Sequence, residues 1–291
     1  MFLAFVLVVV AVGSVIFHFV TPWWSTEIAS NWGSIDDALS ITFFITGVVY
    51  VAVIFFMAYC LYRYRYRADR RAEYDPENSK LELWLTGLTA VGVVALLTPG
   101  LMAWKDFVTV PDDATEIEVV GKQWEWSYRL PGEDGVLGTT DIRFMNDDNE
   151  LGIDPGDSAG HDDIVIIGED LHMPLGQPVK ILLRATDVLH DFYVPQFRAK
   201  MDMVPGLVTY IWLTPTRADT FDVLCAELCG LGHHEMRGLV VVESRSDYDI
   251  WLQEQETFAQ IMAEAGIDIG GTIKLVANES ASGTEIEGVA Q

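Results

Sequence analysis

The sequence predicts a membrane-anchored protein in which an N-terminal transmembrane helical hairpin precedes an all-β sandwich or barrel. Half of the 291 residues are hydrophobic, yet the formal net charge is −25. The two properties are separated along the chain, because residues 1–104 hold three long apolar runs and only eight acids. Residues 105–291 hold 35 acids against 12 Lys or Arg, with short runs of β-branched and aromatic residues between turn signals.

Two uncharged stretches predict the hairpin, at about residues 41–62 and 83–104. Each has about the 20 residues that a transmembrane helix needs. The loop 63–80 between them carries six basic residues: Arg63, Arg65, Arg67, Arg70, Arg71 and Lys80. By the positive-inside rule this loop is cytoplasmic. The chain after residue 104 then lies outside, which predicts a multi-pass plasma-membrane protein whose hairpin domain occupies residues 35–108.

The first segment, residues 1–34, is ambiguous. Residues 2–12 are wholly apolar, as in the hydrophobic region of a signal peptide. The basic residues that usually precede such a region are missing. We therefore expect a signal-like segment, cleaved or retained, or an extra apolar span.

The outer domain is predicted over residues 109–245. Its predicted strands lie within residues 116–130, 163–168, 178–186, 206–215, 219–225 and 238–244. Residues 131–162 are rich in Gly, Asp and Asn and predict an acidic insertion. Apolar positions at helical spacing predict one amphipathic helix over 246–266. Residues 267–291 are predicted to be a disordered acidic tail.

The stretch CAELCGLGHHEM, residues 225–236, carries the chemistry. It places two thiols, two imidazoles and a thioether in one loop between predicted strands, and His190 lies at the end of the predicted upstream strand ILLRATDVLH. Such soft ligands with imidazole favour copper. Three other sites stay open: a Cys225–Cys229 disulfide, a Cys2His2 zinc site, and a mononuclear blue-copper site. Zinc does not need the thioether, and a blue-copper site does not need the second thiol.

Residues 188–206 and 225–242 resemble subunit II of haem–copper cytochrome oxidases, and the resemblance covers about residues 35–245. That family has a dinuclear copper centre, CuA, with the pattern His…Cys-x-Glu-x-Cys-x3-His-x2-Met. The resemblance implies a cupredoxin-like Greek-key domain and an electron-entry subunit that passes electrons to haem in subunit I, where oxygen is reduced to water and protons are translocated. The implied copper ligands are His190, Cys225, Cys229, His233, Met236 and, through its backbone carbonyl, Glu227.

The resemblance also implies that electrons enter at Trp124, with Trp126 close by, and that no catalytic residue lies on this chain. The Glu227 side chain is implied as a magnesium ligand at the contact with subunit I. One residue departs from the family: a proton-entry Glu stands three residues before the helix-opening Trp, whereas Glu82 here precedes Trp84 by two. Glu82 is therefore interpreted as a helix-start acid. No Cys-x-x-Cys-His occurs, so we expect no haem on this chain.

The acidity bears on the partners. The negative charge excludes nucleic acid as a partner, because an acidic domain repels phosphates. It fits either a docking surface for a basic donor or an adaptation to high salt. The spread of the acids and the presence of only six Lys favour the second, and we expect a halophilic archaeal protein. Implied partners are membrane lipid, subunits I and III, and a donor that is a cytochrome c or a small blue-copper protein.

Three other functions compete with this interpretation. A quinol-oxidase subunit II keeps the fold but loses the copper ligands, which are present here. The CuA module of a nitrous-oxide reductase needs a large propeller domain, for which the chain has no length. A membrane-tethered carrier without an oxidase partner also remains open.

Overall fold

The computed structural model describes residues 1–21, 26–71 and 76–269. The chain divides into two compact units. The first comprises Met1–Tyr128 and Ile166–Glu254, and the second comprises Arg129–Val165 and the residues from Gln255 onward. The predicted order is confirmed, since apolar helices precede a β domain. Most of the predicted tail, residues 270–291, lies outside the described residues.

The anchor has three helices: α1 Phe2–Val20, α2 Gly33–Arg63 and α3 Ser79–Val108. All three are long and apolar enough to cross a membrane. Helices α2 and α3 have 31 and 30 residues and extend past the predicted spans. At 1.5 Å per residue, each is longer than the roughly 30 Å hydrocarbon core of a membrane. Asn78 caps α3 by accepting a hydrogen bond from the backbone N–H of Leu81.

Helix α1 packs against α2 through small residues. Ala4 and Ala11 on α1 and Ala58 on α2 are buried. The hydroxyl oxygens of Ser14 and Tyr50 lie 3.3 Å apart, within hydrogen-bond distance. Small residues and interhelical hydrogen bonds hold helices together in lipid, where no hydrophobic force acts between them. Helix α1 is therefore a third apolar helix that packs along α2.

Two five-stranded sheets form the β domain. One has the order β3-β2-β1-β5-β8 and the other β4-β10-β9-β6-β7. Strands β1 and β5 pair in parallel, as do β4 and β10, whereas the pairs β5–β8, β6–β7, β6–β9 and β9–β10 are antiparallel. The strands are β1 Thr115–Lys122, β2 Glu125–Leu130, β3 Ile164–Ile167, β4 Leu171–Pro174, β5 Val179–Ala185, β6 His190–Val194, β7 Ala199–Met203, β8 Thr209–Leu213, β9 Asp219–Cys225 and β10 Arg237–Glu243.

Two details of the predicted strands are wrong. The run 116–130 is two strands, because the chain turns at residues 123 and 124. His190 does not end the strand that begins at 181; it opens β6, after a break at residues 186–189. The break places Asp187 where its carboxylate accepts hydrogen bonds from three groups, so these residues leave the ladder of β5.

The second unit contains the acidic insertion 131–162, which has two short 3₁₀ turns and no strand. Its aspartates cap backbone N–H groups: Asp154 accepts from Gly156 and Asp157 accepts from Thr139. Inside the unit, the buried Asp163 carboxylate accepts a 2.6 Å bond from the Arg129 guanidinium. Much of the local acidity therefore supports the backbone of the loop.

The single amphipathic helix predicted over 246–266 is wrong. Two helices occupy this region, α4 Arg245–Gln253 and α5 Phe258–Glu264. Ser244 caps the first. Thr257 and Gln260 form a capping box that starts the second, so the chain is redirected between them.

Residues 26–36 join the anchor to the β domain in the first unit, and we call this segment the joint. Ala29 donates to the carbonyl of Gln196 at 2.8 Å, and Thr216 donates to the carbonyl of Ala29 at 2.9 Å. The Arg198 guanidinium donates hydrogen bonds to both carboxylate oxygens of Asp36, at 2.7 and 2.9 Å. The bond pair is bidentate and charge-assisted, so it fixes direction as well as distance.

An aromatic cluster completes the joint. Trp32 is buried at the start of α2 and donates through Nε1 to the carbonyl of Trp212 at 2.9 Å. Its ring packs against Trp212 on β8 and Phe107 near the end of α3, with centroids 4.7 and 5.1 Å away. Trp212 in turn donates to the carbonyl of Asp106. Both long helices are therefore attached to one edge of the β domain.

Candidate metal centre

Two strands bring the predicted ligands together. His190 opens β6, and Cys225 ends its neighbour β9, so Phe192 pairs with Cys225 in the ladder. The loop from Cys225 to Met236 then returns to β10, and the N–H of Cys225 donates to the carbonyl of Met236 at 3.3 Å. This closure turns the side chains of the loop towards His190.

The donor atoms form two groups around two sulfurs. Cys225 Sγ lies 3.9 Å from His190 Nδ1 and 3.2 Å from the carbonyl oxygen of Glu227. Cys229 Sγ lies 3.6 Å from His233 Nδ1 and 3.9 Å from Met236 Sδ. The two sulfurs are 3.7 Å apart and both thiols are free. The structure thus brings all six predicted ligands into one cluster.

Burial sets the electrostatics of the cluster. Cys229, Met236 and His190 are buried. Burial, then the neighbouring Cys225 sulfur, raises the pKa of the Cys229 thiol above its ordinary value. The thiol therefore holds its proton in the metal-free chain, and a bound cation must displace that proton.

The cluster fits a pair of metal ions better than one. The ligand atoms of His190, Cys225 and Cys229 all lie within 4.8 Å of one another, close enough to hold a metal ion. Each sulfur has its own imidazole and its own weak oxygen or thioether donor. Six donors exceed the four of a structural zinc site, and thiolate, imidazole and thioether together favour copper.

The two tryptophans differ in position. The Trp124 side chain is 42% exposed, and its Nε1 donates to the carbonyl of Cys229 at 3.3 Å. Trp126 is only 2% exposed, and its ring meets His190 edge-on with centroids 6.5 Å apart. Trp124 therefore connects the cluster with the surface, whereas Trp126 packs behind His190.

The remaining predicted residues lie at the rim. The Glu227 side chain is exposed. His234 has a 75% exposed side chain and pairs with Glu235 at 3.5 Å, so it stays outside the cluster. Near Glu227, burial raises the pKa of Asp191 to about 6 against the opposing effect of Lys200, which lies 3.0 Å away.

Three residues that contact the centre were not predicted from the sequence: Gln123, Asp187 and Gly232. Asp187 accepts a 2.8 Å bond from His190 Nε2, and Gln123 donates through Nε2 to the carbonyl of Cys229 at 2.7 Å. A Cβ on Gly232 would lie 2.4 Å from the Trp124 ring, so the ring needs a glycine there. The spacing Asp-x-x-His was the signal for Asp187; nothing in the sequence marked Gln123.

Comparisons with known proteins identify the family of the chain. Residues 115–244 match the family "Cytochrome C oxidase subunit II, periplasmic domain". The chain is 60% identical over 259 residues to the alternative cytochrome c oxidase subunit 2 of Bradyrhizobium diazoefficiens, covering 89% of this chain and 94% of that one. It is 27% identical over 221 residues to cytochrome c oxidase subunit 2 of Cereibacter sphaeroides, covering 72% of each.

Among solved structures, the periplasmic domain of cytochrome oxidase subunit II (CoxB) of Bradyrhizobium japonicum matches at 25% identity and a TM-score of 0.37. The match covers 50% of this chain and 95% of that one. Both relatives named above are bacterial. They do not support the halophilic archaeal origin that the charge predicted. Part of the acidity has a structural role instead, since aspartates of the insertion cap backbone N–H groups.

Proposed function

Because the chain belongs to the cytochrome c oxidase subunit II family, we propose that it is the electron-entry subunit of its oxidase, with a dinuclear copper centre. The observation that carries the proposal is the two-sulfur cluster, in which each sulfur has its own imidazole and weak donor. Two coppers held by Cys225, Cys229, His190 and His233 would supply one-electron transfer chemistry at this cluster.

The chain's own residues provide the rest. Cys225 and Cys229 would hold the metals together with His190 and His233. Met236 Sδ and the Glu227 carbonyl would be weak donors that tune the potential. Trp124 supplies a partly exposed path to the carbonyl of Cys229. Electrons leave towards haem in subunit I, where oxygen is reduced to water and protons are translocated.

The match to a periplasmic domain supports a β domain on the extracytoplasmic side, and the length and apolar composition of the three helices support a membrane anchor. We expect subunits I and III as partners, together with membrane lipid. The exposed carboxylate of Glu227 is proposed to hold magnesium at the contact with subunit I, because carboxylate oxygen is a preferred ligand of that ion. The donor is a cytochrome c or a small blue-copper protein.

Copper loading of the full-length chain in detergent tests the centre. We expect two coppers per chain and a seven-line mixed-valence EPR spectrum. Cys229→Ser should abolish that spectrum, whereas Cys60→Ser, a thiol in the membrane helix α2, should leave it intact. One copper per chain, or a spectrum indifferent to Cys229→Ser, would refute the dinuclear site and favour the mononuclear alternative.

Reduction by purified donors tests the partner. The copper-loaded chain is mixed with reduced cytochrome c or a reduced blue-copper protein, at low and at high salt, and reduction is followed by absorbance. Reduction by a physiological donor of basic charge should become slower as salt rises, because the domain is acidic and salt screens the attraction between the two proteins. Failure of both donors would favour a tethered carrier without an oxidase partner.

A further inference from the structure

The carboxylate of Asp187 holds two separate parts of the candidate centre. Its Oδ1 accepts 2.8 Å from His190 Nε2 and 2.6 Å from the N–H of Val188. Its Oδ2 accepts 2.7 Å from the N–H of Gln123. Because the Nε2–H of His190 points at a carboxylate, the ring presents the lone pair of Nδ1 to Cys225.

The side chain of Gln123 continues the connection. Its Nε2 donates to the carbonyl oxygen of Cys229 at 2.7 Å. An unbroken line of hydrogen bonds therefore runs from His190 through Asp187 and Gln123 to Cys229, and we call it the ligand bridge. It joins ligands that come from different strands, and it does so without passing through a metal.

The sheet explains why these residues meet. Strands β1 and β5 pair in parallel, with Gly121 opposite Ala185, so both strands end at the same edge. Gln123 follows β1 and Asp187 follows β5, which places them together although 64 residues separate them. A Cβ on Gly121 would lie 3.2 Å from the His190 ring, so the backbone of β1 also backs that ring closely.

We propose that Asp187 and Gln123 are positioning residues that set the orientation of His190, and the distance of its loop from Cys229, before metal binds. The inference rests on the copper centre proposed above. It also assigns a role to the turn at 123 and 124: the bridge fixes that turn, and with it Trp124, relative to the ligands. Electron entry and metal coordination then share one rigid support.

Asp187→Asn is the direct test, because an amide has one acceptor oxygen where the carboxylate has two. The variant can still accept from His190 or from Gln123, but it presents an NH₂ group to the other. Asp219→Asn is the matched control. Asp219 also caps the next residue, Thr220, through Oδ1, but it lies at the exposed start of β9, outside the bridge.

The first readout needs no metal. In the metal-free full-length chain in detergent, hydrogen exchange of the peptide covering 120–126 should be slow in the wild type. It should be roughly tenfold faster or more in Asp187→Asn, because the charged acceptor of the Gln123 N–H is replaced by a neutral amide group. Exchange should be unchanged in Asp219→Asn. Equal exchange in wild type and Asp187→Asn would overturn the proposal.

The second readout uses the copper-loaded chain. Asp187→Asn should keep two coppers, change the hyperfine pattern of the EPR spectrum, and raise the midpoint potential, since a negative charge beside the oxidised centre is lost. If circular dichroism shows that Asp187→Asn does not fold, Gln123→Met is the deciding variant, because it removes the side-chain donor to Cys229 at similar volume. An EPR spectrum unchanged by Gln123→Met would overturn the proposed ligand bridge. A wild type without two coppers refutes the proposed function instead, while the metal-free exchange still decides the bridge.

Discussion

Substitution of Gly232 by Ala gives a direct test of the proposed electron entry. The added Cβ would lie 2.4 Å from Trp124 Cδ2, whereas ordinary contact begins at 3.4 Å, so the indole must move by at least 1.0 Å. Gly232 has a φ of −86°, which alanine adopts without strain, so the effect is purely steric. The bond from Nε1 to the Cys229 carbonyl is already 3.3 Å long, and an outward shift of about 0.3 Å ends it.

Two quantities should change together. Overpacking costs about 1–3 kcal/mol of stability, part of it relieved by the displaced ring. Reduction of the copper-loaded chain by a reduced donor, followed by stopped-flow absorbance, should slow, while copper content and EPR spectrum stay those of the wild type. Gly33→Ala adds the same methyl group where nothing lies within 4 Å, and it should change neither quantity.

A double-mutant cycle separates the steric effect from any other. Trp124→Phe removes part of the ring that the new methyl group meets, so Gly232→Ala should slow reduction much less in that background. An undiminished reduction rate in Gly232→Ala, accompanied by a lower thermal midpoint, would show that Trp124 is not the entry point. Equal slowing in both backgrounds would refute the steric reasoning.

Three further outcomes follow from the structure. His233→Ala should lose the dinuclear EPR spectrum and His234→Ala should keep it, because only His233 reaches Cys229 Sγ. Arg198→Lys should lose the paired bonds to Asp36, costing about 1–2 kcal/mol, seen as faster hydrogen exchange in residues 26–36; unchanged exchange would contradict it. Burial raises the pKa of Asp163 to about 6 from 3.8, so ionisation opposes folding and local stability should fall between pH 4 and 6; Asp163→Asn should abolish this slope in hydrogen exchange of residues 131–165.

The order of elements could be predicted because hydropathy and charge vary on the scale of whole segments. The ligand cluster could be predicted because residues 225–236 lie within one loop, where the spacing along the chain limits how far apart the side chains can lie. The split of 246–266 into two helices was missed because a capping box at Thr257 can interrupt a helix whose apolar periodicity continues across the break.

The ligand bridge could not be predicted for a different reason. Asp187 and Gln123 meet only because β1 and β5 are parallel neighbours, and strand pairing is a property of the tertiary fold. The joint is of the same kind, since Asp36 and Arg198 are 162 residues apart. Sequence spacing determines which ligands share a loop, and the sheets determine which residues support them.

The joint has a consequence for how the protein is made. Its two halves leave the ribosome far apart in time: residues 26–36 end within the first turn of α2, whereas Gln196, Arg198 and Trp212 come after both long helices. A chain in which only one of α2 and α3 crosses the bilayer would put these halves on opposite sides of the membrane. Such a chain would leave Trp32 and Asp36 without their partners, and exposed surface of that kind marks a protein for removal by proteases.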